Sequence, residues 1–295
     1  MIKSLLILQD YPNYKLHYKE GDKVIVSTHD GENYSVVDHY RVGWLIGIIV
    51  IFIVGILLIG KKAGFKSLLS MFISILTFFI LVILLTKGWK PIQTTLWLSI
   101  LNTVITILIV AGFSEKSKAS ILGTVFGISA AFIIANIISK LSHITGLSDE
   151  QARYLVTATN TNFNPIDLFY CGVILGALGA VMDIAISLAS SIMEVHKANP
   201  ELTIEELYHS GMQVGKDILG TMTNTLVLAY LSSSIPMFIL IYMNKAQLPI
   251  FYNMDFIALE VIKTFAGSLG LLAVIPFTCI ITANLAHQKS NLKEN

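Results

Sequence analysis

Apolar residues fall into seven long runs, at roughly 43–60, 68–86, 94–112, 119–140, 167–193, 218–243 and 256–286, with short polar stretches between them. Each run approaches or exceeds the ~20 residues that a helix needs to cross a bilayer. Hydrocarbon offers backbone N–H and C=O groups no water, so a spanning segment must satisfy them internally, and a helix does so. The pattern predicts an all-α integral membrane protein: a seven-helix transmembrane bundle over residues 43–286, followed by a cytoplasmic tail at 287–295.

Residues 1–42 are patterned differently. Lys23-Val24-Ile25-Val26 and Tyr34-Ser35-Val36-Val37 are short β-prone runs. Glu20-Gly21-Asp22 and Asp30-Gly31-Glu32-Asn33 supply turn residues around them. The expectation is a short β-prone extracytoplasmic stub. Two or three strands alone are marginal in water, so it must pack on the membrane domain, pack on a partner, or stay loose. The only apolar stretch near the start, Ser4 to Leu8, is shorter than the h-region of a secretory leader, which places the first membrane element at Gly43.

Two connecting segments carry further signals. In 197–217, Thr203 and Glu206 form a capping box, with Leu202 and Leu207 placed as its hydrophobic staple. Ile204, Leu207, Tyr208 and Met212 recur at helical spacing, which predicts an amphipathic cytoplasmic linker helix over 203–215. The loop 141–166 holds Asp149, Glu150, Arg153, a polar string from Thr157 to Asn164 and an Asn164-Pro165 turn. It reads as a solvated loop with a short interfacial helix at 148–157, or as a lid over an external opening.

Composition sharpens the class. Charged residues make up 13% and hydrophobic ones 54%, where soluble domains carry about 25% charged residues. The net charge of +1, with no basic patch, argues against a nucleic-acid partner. Lysine placement sets orientation. Lys61, Lys62 and Lys66 crowd the first loop, Lys116 and Lys118 the third, and Lys289 and Lys293 the tail, which puts those segments in the cytoplasm and the N-terminus outside. Lys87, Lys90, Arg153, Lys245 and Lys263 weaken the bias. Cys171 and Cys279 sit singly within predicted spans, with no metal-ligand spacing, and read as packing residues. No cofactor is expected. Neither HExxH, GxSxG nor a paired-aspartate motif is present, so a non-enzymatic role is expected.

The residues able to carry chemistry gather in the C-terminal half. Asp183 lies near the middle of the fifth run, where a charge costs about 2.5–3.5 kcal/mol on the insertion scale. Spacings of four, three and four place Asp183, Ser187, Ser190 and Glu194 on one helix face. Gly172, Gly176, Gly179 and Ala180 give that helix a small-residue face. In the sixth run, Lys216 and Asp217 lie at the start, and Thr221, Asn224 and Thr225 form a polar face with Thr223 off it. The expectation is a polar seam between spans five and six, with Asp183, Glu194, Lys216 and Asp217 as ion- or proton-coupling candidates. Ser187, Ser190, Thr221, Asn224 and Thr225 would line the path, and Lys216 would neutralise Glu194. Gly267, Gly270 and Pro276 in the seventh run suit either a hinge or tight packing. Asn102 and Asn136 are the best candidates for interhelical hydrogen bonds in the first four spans.

Several strings together carry a family resemblance. GALGAVMDIAISLASSIMEV, GMQVGKDILGTMTNTLVLAYLSSSIP and FAGSLGLLAVIPFTCIITA, with the earlier VVDHYR and KKAGFKSLLSM, resemble the YibE/F-like family over about 36–286. The resemblance implies a multi-span protein of the bacterial plasma membrane, working as a homo-oligomer or beside a paralogous membrane subunit. Family members of the YibE type commonly carry an extra N-terminal span and a larger external domain, of which only a stub corresponds here. The order of small-residue helix, central acid, linker and TxTNT-like helix also looks like half of an RND-type or SecD/SecF-type transporter, which would carry a proton-coupling role onto Asp183, Thr221, Asn224 and Thr225. Two functions follow as expectations: a permease subunit coupled to protons or ions, or a non-transporting scaffold that holds a partner through its small-residue faces.

Overall fold

The computed structural model describes residues 6–7, 19, 21–28, 34–158, 163–243, 250 and 253–294. The turn expected at 30–33, Lys245 and the centre of the polar string at 159–162 lie outside the described residues. The described elements are strands β1 (Leu6–Ile7), β2 (Val24–Thr28) and β3 (Tyr34–His39), then helices α1 (Val42–Thr86), α2 (Pro91–Ala111), α3 (Glu115–Leu141), α4 (Glu150–Ala158), α5 (Pro165–Ala198), α6 (Ile204–Ser233), α7 (Ile235–Met243) and α8 (Asp255–Glu294). The chain divides into two units, Met1–Leu68 and Leu69–Asn295.

In the first unit the β-prone runs form a three-stranded sheet in the order β1-β3-β2. β2 and β3 pair antiparallel, with Val24 opposite His39 and Thr28 opposite Tyr34, and a register shift falls between Ile25 and Val26. β1 adds in parallel. Val36 is buried, while Ile25, Val26 and Val37 stay exposed. Asp38 closes the sheet: its carboxylate accepts a 2.6 Å hydrogen bond from Arg41, just before α1.

The first two apolar runs both fall in α1, which holds a non-helical residue, Lys61, at φ 47 and ψ −123. The left-handed region is costly for a side chain larger than glycine. Its effect is visible at Gly64, where an added Cβ would strike the carbonyl of Ile56. Eight residues apart in a straight helix would be separated by about 12 Å along the axis, so the chain turns sharply at Lys61. Counting α1 once, five helices among the described residues are long and apolar enough to cross a membrane, or six if α6 and α7 form one bent span. The chain is therefore a multi-pass α-helical membrane protein. The count differs from seven because the first two runs are counted together as α1, although two helical stretches meet at the kink at Lys61.

In the second unit α3, α5 and α8 form a trunk, α6 packs on α8 and α5, and α2 packs on α5 and α3. The caps are local. Asn164 accepts from the Ile166 N–H at 3.3 Å ahead of Pro165, which starts α5. Ser114 caps α3 by accepting from the Ser117 N–H. Gly112, at φ 72, ends α2 in a conformation open to glycine. Lipid tails are as apolar as leucine, so dispersion and close approach must hold the trunk. Glycines permit that approach. A Cβ on Gly270 would lie 2.9 Å from both the Ala131 Cβ and the Gly127 carbonyl oxygen. A Cβ on Gly127 would lie 2.6 Å from Val181. Phe126 and Phe277 stack at 3.9 Å nearby.

The capping box at Thr203 is formed, with the Glu206 carboxylate accepting from the Thr203 N–H at 2.9 Å. The helix it starts does not stop at 215, as a separate linker helix would. It runs to Ser233, because no breaker intervenes and Gly211 and Gly215 seat it on Ile192 and Ile275. The sixth run breaks later, at Ser234, where α6 and α7 meet at 59°. Pro236 cannot continue the hydrogen-bond ladder, and Ser232 and Ser233 donate to the carbonyls of Ala229 and Tyr230 instead. By contrast, α8 continues through Pro276.

Candidate functional site

On α5 the apolar positions Val181, Ile184, Ala185 and Leu188 are fully buried in the trunk. The opposite side carries Asp183, Ser187 and Glu194, all exposed, with Ser190 half-buried and Gly176 and Gly179 continuing the stripe. The four polar residues thus share a face, and that face looks away from the trunk. Among the described residues the Asp183 carboxylate has no hydrogen bond or ion pair. Glu194 pairs with Lys197 at 2.5 Å, one turn along the same helix, rather than with Lys216. Lys216 and Asp217 are exposed.

On α6, Thr221, Asn224 and Thr225 are exposed as well. The Thr221 and Thr225 hydroxyls donate to carbonyls of their own helix, Ile218 and Thr221, at 2.9 Å each. No hydrogen bond joins them to Asp183. The helices meet instead where Gly176 faces Tyr230 and where Gly215 and Gly211 receive Leu188 and Ile192. Asn224 is nine residues from Gly215, about 180° around the helix at 100° per residue. The same glycines that bring α6 close turn its amide outward.

The remaining glycines separate into two kinds. Gly176, Gly267 and Gly270 are packing positions: Tyr230 fills the first, Leu226 lies 3.1 Å from a Cβ on the second, and Ala131 and Gly127 crowd the third. Gly179 has open space where a Cβ would go.

That opening belongs to a groove of ≈ 460 Å³ bounded by α1, α2 and α5. Ser74 and Thr77, Ser99 and Asn102, and Gly179 line it. Ser74 donates to the Asn102 side-chain oxygen at 3.1 Å, the interhelical bond expected of Asn102. Asn136 is half-buried and makes none among the described residues. Ser99 Oγ is buried without a partner. Asp183 stands one turn beyond Gly179 on the same stripe. The sequence reading passed over this groove, although Thr95, Ser99, Thr103 and Thr106, all buried, recur at helical spacing along α2.

A second cavity, of ≈ 430 Å³, lies among α4, α5 and α8. Its polar lining includes Asp149, Gln151, Glu260 and Lys263. Glu260 and Lys263 face one another at 3.8 Å with side chains 13% and 27% exposed. The Lys263 ammonium sits 5.0 Å from the centre of the Tyr230 ring. Glu260 Oε2 and the Tyr230 hydroxyl are buried without partners. At the mouth, Asp255 accepts from the Thr145 and Ser148 hydroxyls at 3.0 and 2.9 Å, pinning the 142–149 loop to the start of α8. Sequence reasoning counted Lys263 among the loop charges and overlooked Glu260. The available signal was an acid and a base three residues apart inside an apolar run, where ionisable groups are expensive and tend to pair.

Both cavities and the Asp183 stripe fall within one family match. The model of the YibE/F-like protein family matches residues 48–288. The chain belongs to the YibE/F-like family. The match takes in α1 from residue 48 through most of α8, so the β-sheet of this YibE/F-like chain lies outside it. No curated protein and no solved structure matches the chain.

Proposed function

We propose that this YibE/F-like protein is a permease subunit of the bacterial plasma membrane, with Asp183 as its proton- or cation-binding carboxylate. The groove between α1, α2 and α5 is then the route, in place of a seam between α5 and α6. The observation that carries this reading is an unpaired carboxylate in an apolar helix, one turn from a mostly apolar groove in which Ser74, Thr77, Ser99 and Asn102 supply the polar groups. Such a group is expensive against lipid and inexpensive beside water or another subunit. A second copy, or a paralogous membrane subunit, covers the stripe. Seven crossings result if each half of α1 crosses and α6 with α7 counts as one, with the N-terminus outside and the C-terminus in the cytoplasm. The role is non-catalytic.

The test is proton flux in proteoliposomes under a potassium diffusion potential, read by an entrapped pH dye. Wild type is expected to conduct and Asp183→Asn to lose at least 90% of the rate, on the order of the loss expected when a coupling group is removed. Retained flux in that variant rejects the role of Asp183.

The open space at Gly179 favours a second reading, a scaffold that seats a partner helix there. In that case Gly179→Leu removes a stoichiometric partner after solubilisation, while Asp183→Asn leaves it bound.

A further inference from the structure

We infer that the cavity among α4, α5 and α8 is a binding site for a zwitterion, one bearing an ammonium group, an anionic oxygen group and an apolar body. The inference stands apart from the role given to Asp183. Three observations on one cavity carry it.

The first is charge. Glu260 and Lys263 form an ion pair through Oε1 at 3.8 Å, too long for a hydrogen bond, so the hydrogen-bonding capacity of both groups is left over. Glu260 Oε2 is buried with no hydrogen-bond partner, and a buried polar oxygen left so is costly unless something meets it. The Lys263 ammonium sits 5.0 Å from the centre of the Tyr230 ring and donates no hydrogen bond among the described residues. A ligand ammonium on Glu260 and a ligand anion on Lys263 complete both. A simple cation would repel Lys263, and a simple anion would repel Glu260.

The second is the wall. Leu168, Phe169, Phe256 and Leu259 line the same space. An apolar surface around a few convergent polar groups is the usual build of a small-molecule site, and ≈ 430 Å³ falls in the usual size range.

The third is depth. Glu260 lies five residues into α8 from Asp255, about 7.5 Å along the axis at 1.5 Å per residue. With the headgroup layer taken to begin at Asp255, where the candidate span of α8 starts, that distance keeps Glu260 within it. Two sources supply the required chemistry: the phosphoethanolamine head of a lipid, or a free apolar amino acid.

The experiment follows thermal unfolding of the full chain in detergent with three probes: dihexanoyl phosphatidylethanolamine, L-leucine, and dihexanoyl phosphatidic acid, which lacks the ammonium. A zwitterionic probe at a hundredfold excess over its Kd is expected to raise the Tm by roughly 5 °C. Phosphatidic acid is expected to give less than half of that shift. A shift with the phospholipid alone assigns a lipid headgroup, and a shift with leucine alone assigns a soluble zwitterion. Glu260→Gln and Lys263→Met are each expected to weaken binding at least tenfold. Gly172→Leu serves as the folding-neutral control. Gly172 lines the cavity with open space at its Cβ position, so leucine fills the site while leaving both charges in place. It is expected to abolish the shift with an unchanged gel-filtration profile, and Asp183→Asn is expected to keep it. The inference is overturned if neither zwitterion shifts the Tm, if phosphatidic acid matches them, or if Gly172→Leu responds like wild type.

Discussion

At the scale of single residues, what a glycine touches decides what replacing it does. At Gly270 a Cβ would lie 2.9 Å from a backbone carbonyl and from the Ala131 methyl, neither of which can swing aside. Gly270→Ala should therefore lower stability by about 1–3 kcal/mol, the usual range for overpacking. At Gly179 nothing stands within 4 Å, and alanine gains up to about 1 kcal/mol of helix propensity. Gly179→Ala should melt at or above the wild-type temperature. Parallel thermal melts check the pair, and equal losses at both positions would refute the packing assigned to them. Asp38 gives a pH prediction. The Arg41 hydrogen bond, then the His39 N–H, hold its carboxyl below the usual carboxylate range. A group depressed on folding contributes stability above its unfolded value and loses it as pH falls through the folded value. The Asp38 side-chain carbon resonance should thus titrate below the ordinary aspartate midpoint, and Arg41→Met should raise that midpoint.

At the scale of elements, start signals were easier to read than stop signals. The capping box at Thr203 formed as its sequence implied, and Thr203→Ala should cost about 0.5–2 kcal/mol in a thermal melt. The end of that helix was not legible, because nothing in residues 204–233 forbids continuation and the deciding contacts come from α5 and α8. The α6–α7 break has a local cause in Ser232, Ser233, Ser234 and Pro236. Replacing all four by alanine should straighten it. Spin labels at positions 218 and 243 should then move apart by roughly 4 Å, given the helix rise and the 59° bend. An unchanged distance would place the cause in tertiary packing. The antiparallel β2–β3 pair was legible from its β-prone runs and the turn residues between them. The sharp turn at Lys61 was not, since a lysine-rich stretch between apolar runs reads as an ordinary loop.

At the scale of the whole molecule, helical membrane architecture was legible from the length of the apolar runs, and the face containing Asp183 from helical spacing. Which way that face points was not. The rotation of α5 is set by the burial of Val181, Ile184 and Leu188, and that of α6 by the glycines beneath Leu188 and Ile192. Both are pairwise facts that one run cannot state. The same reasoning explains why the Glu260–Lys263 pair and the α2 hydroxyl face went unread. Each looks like a loop charge or a helix-bonded hydroxyl until a neighbour encloses it. Enclosure also sets reactivity. Cys171 and Cys279 are free and buried in the second unit, so a membrane-permeant maleimide should label neither until the protein is unfolded. Rapid labelling of the native protein, read by mass, would contradict the packing described.

The meeting of Gly127 with Gly270 has a mechanical meaning. Where two main chains already touch, there is no side chain left to slide, compress or re-rotamerise. That crossing behaves as a fixed post, and any helix movement within the second unit must come from elements that do not run through it.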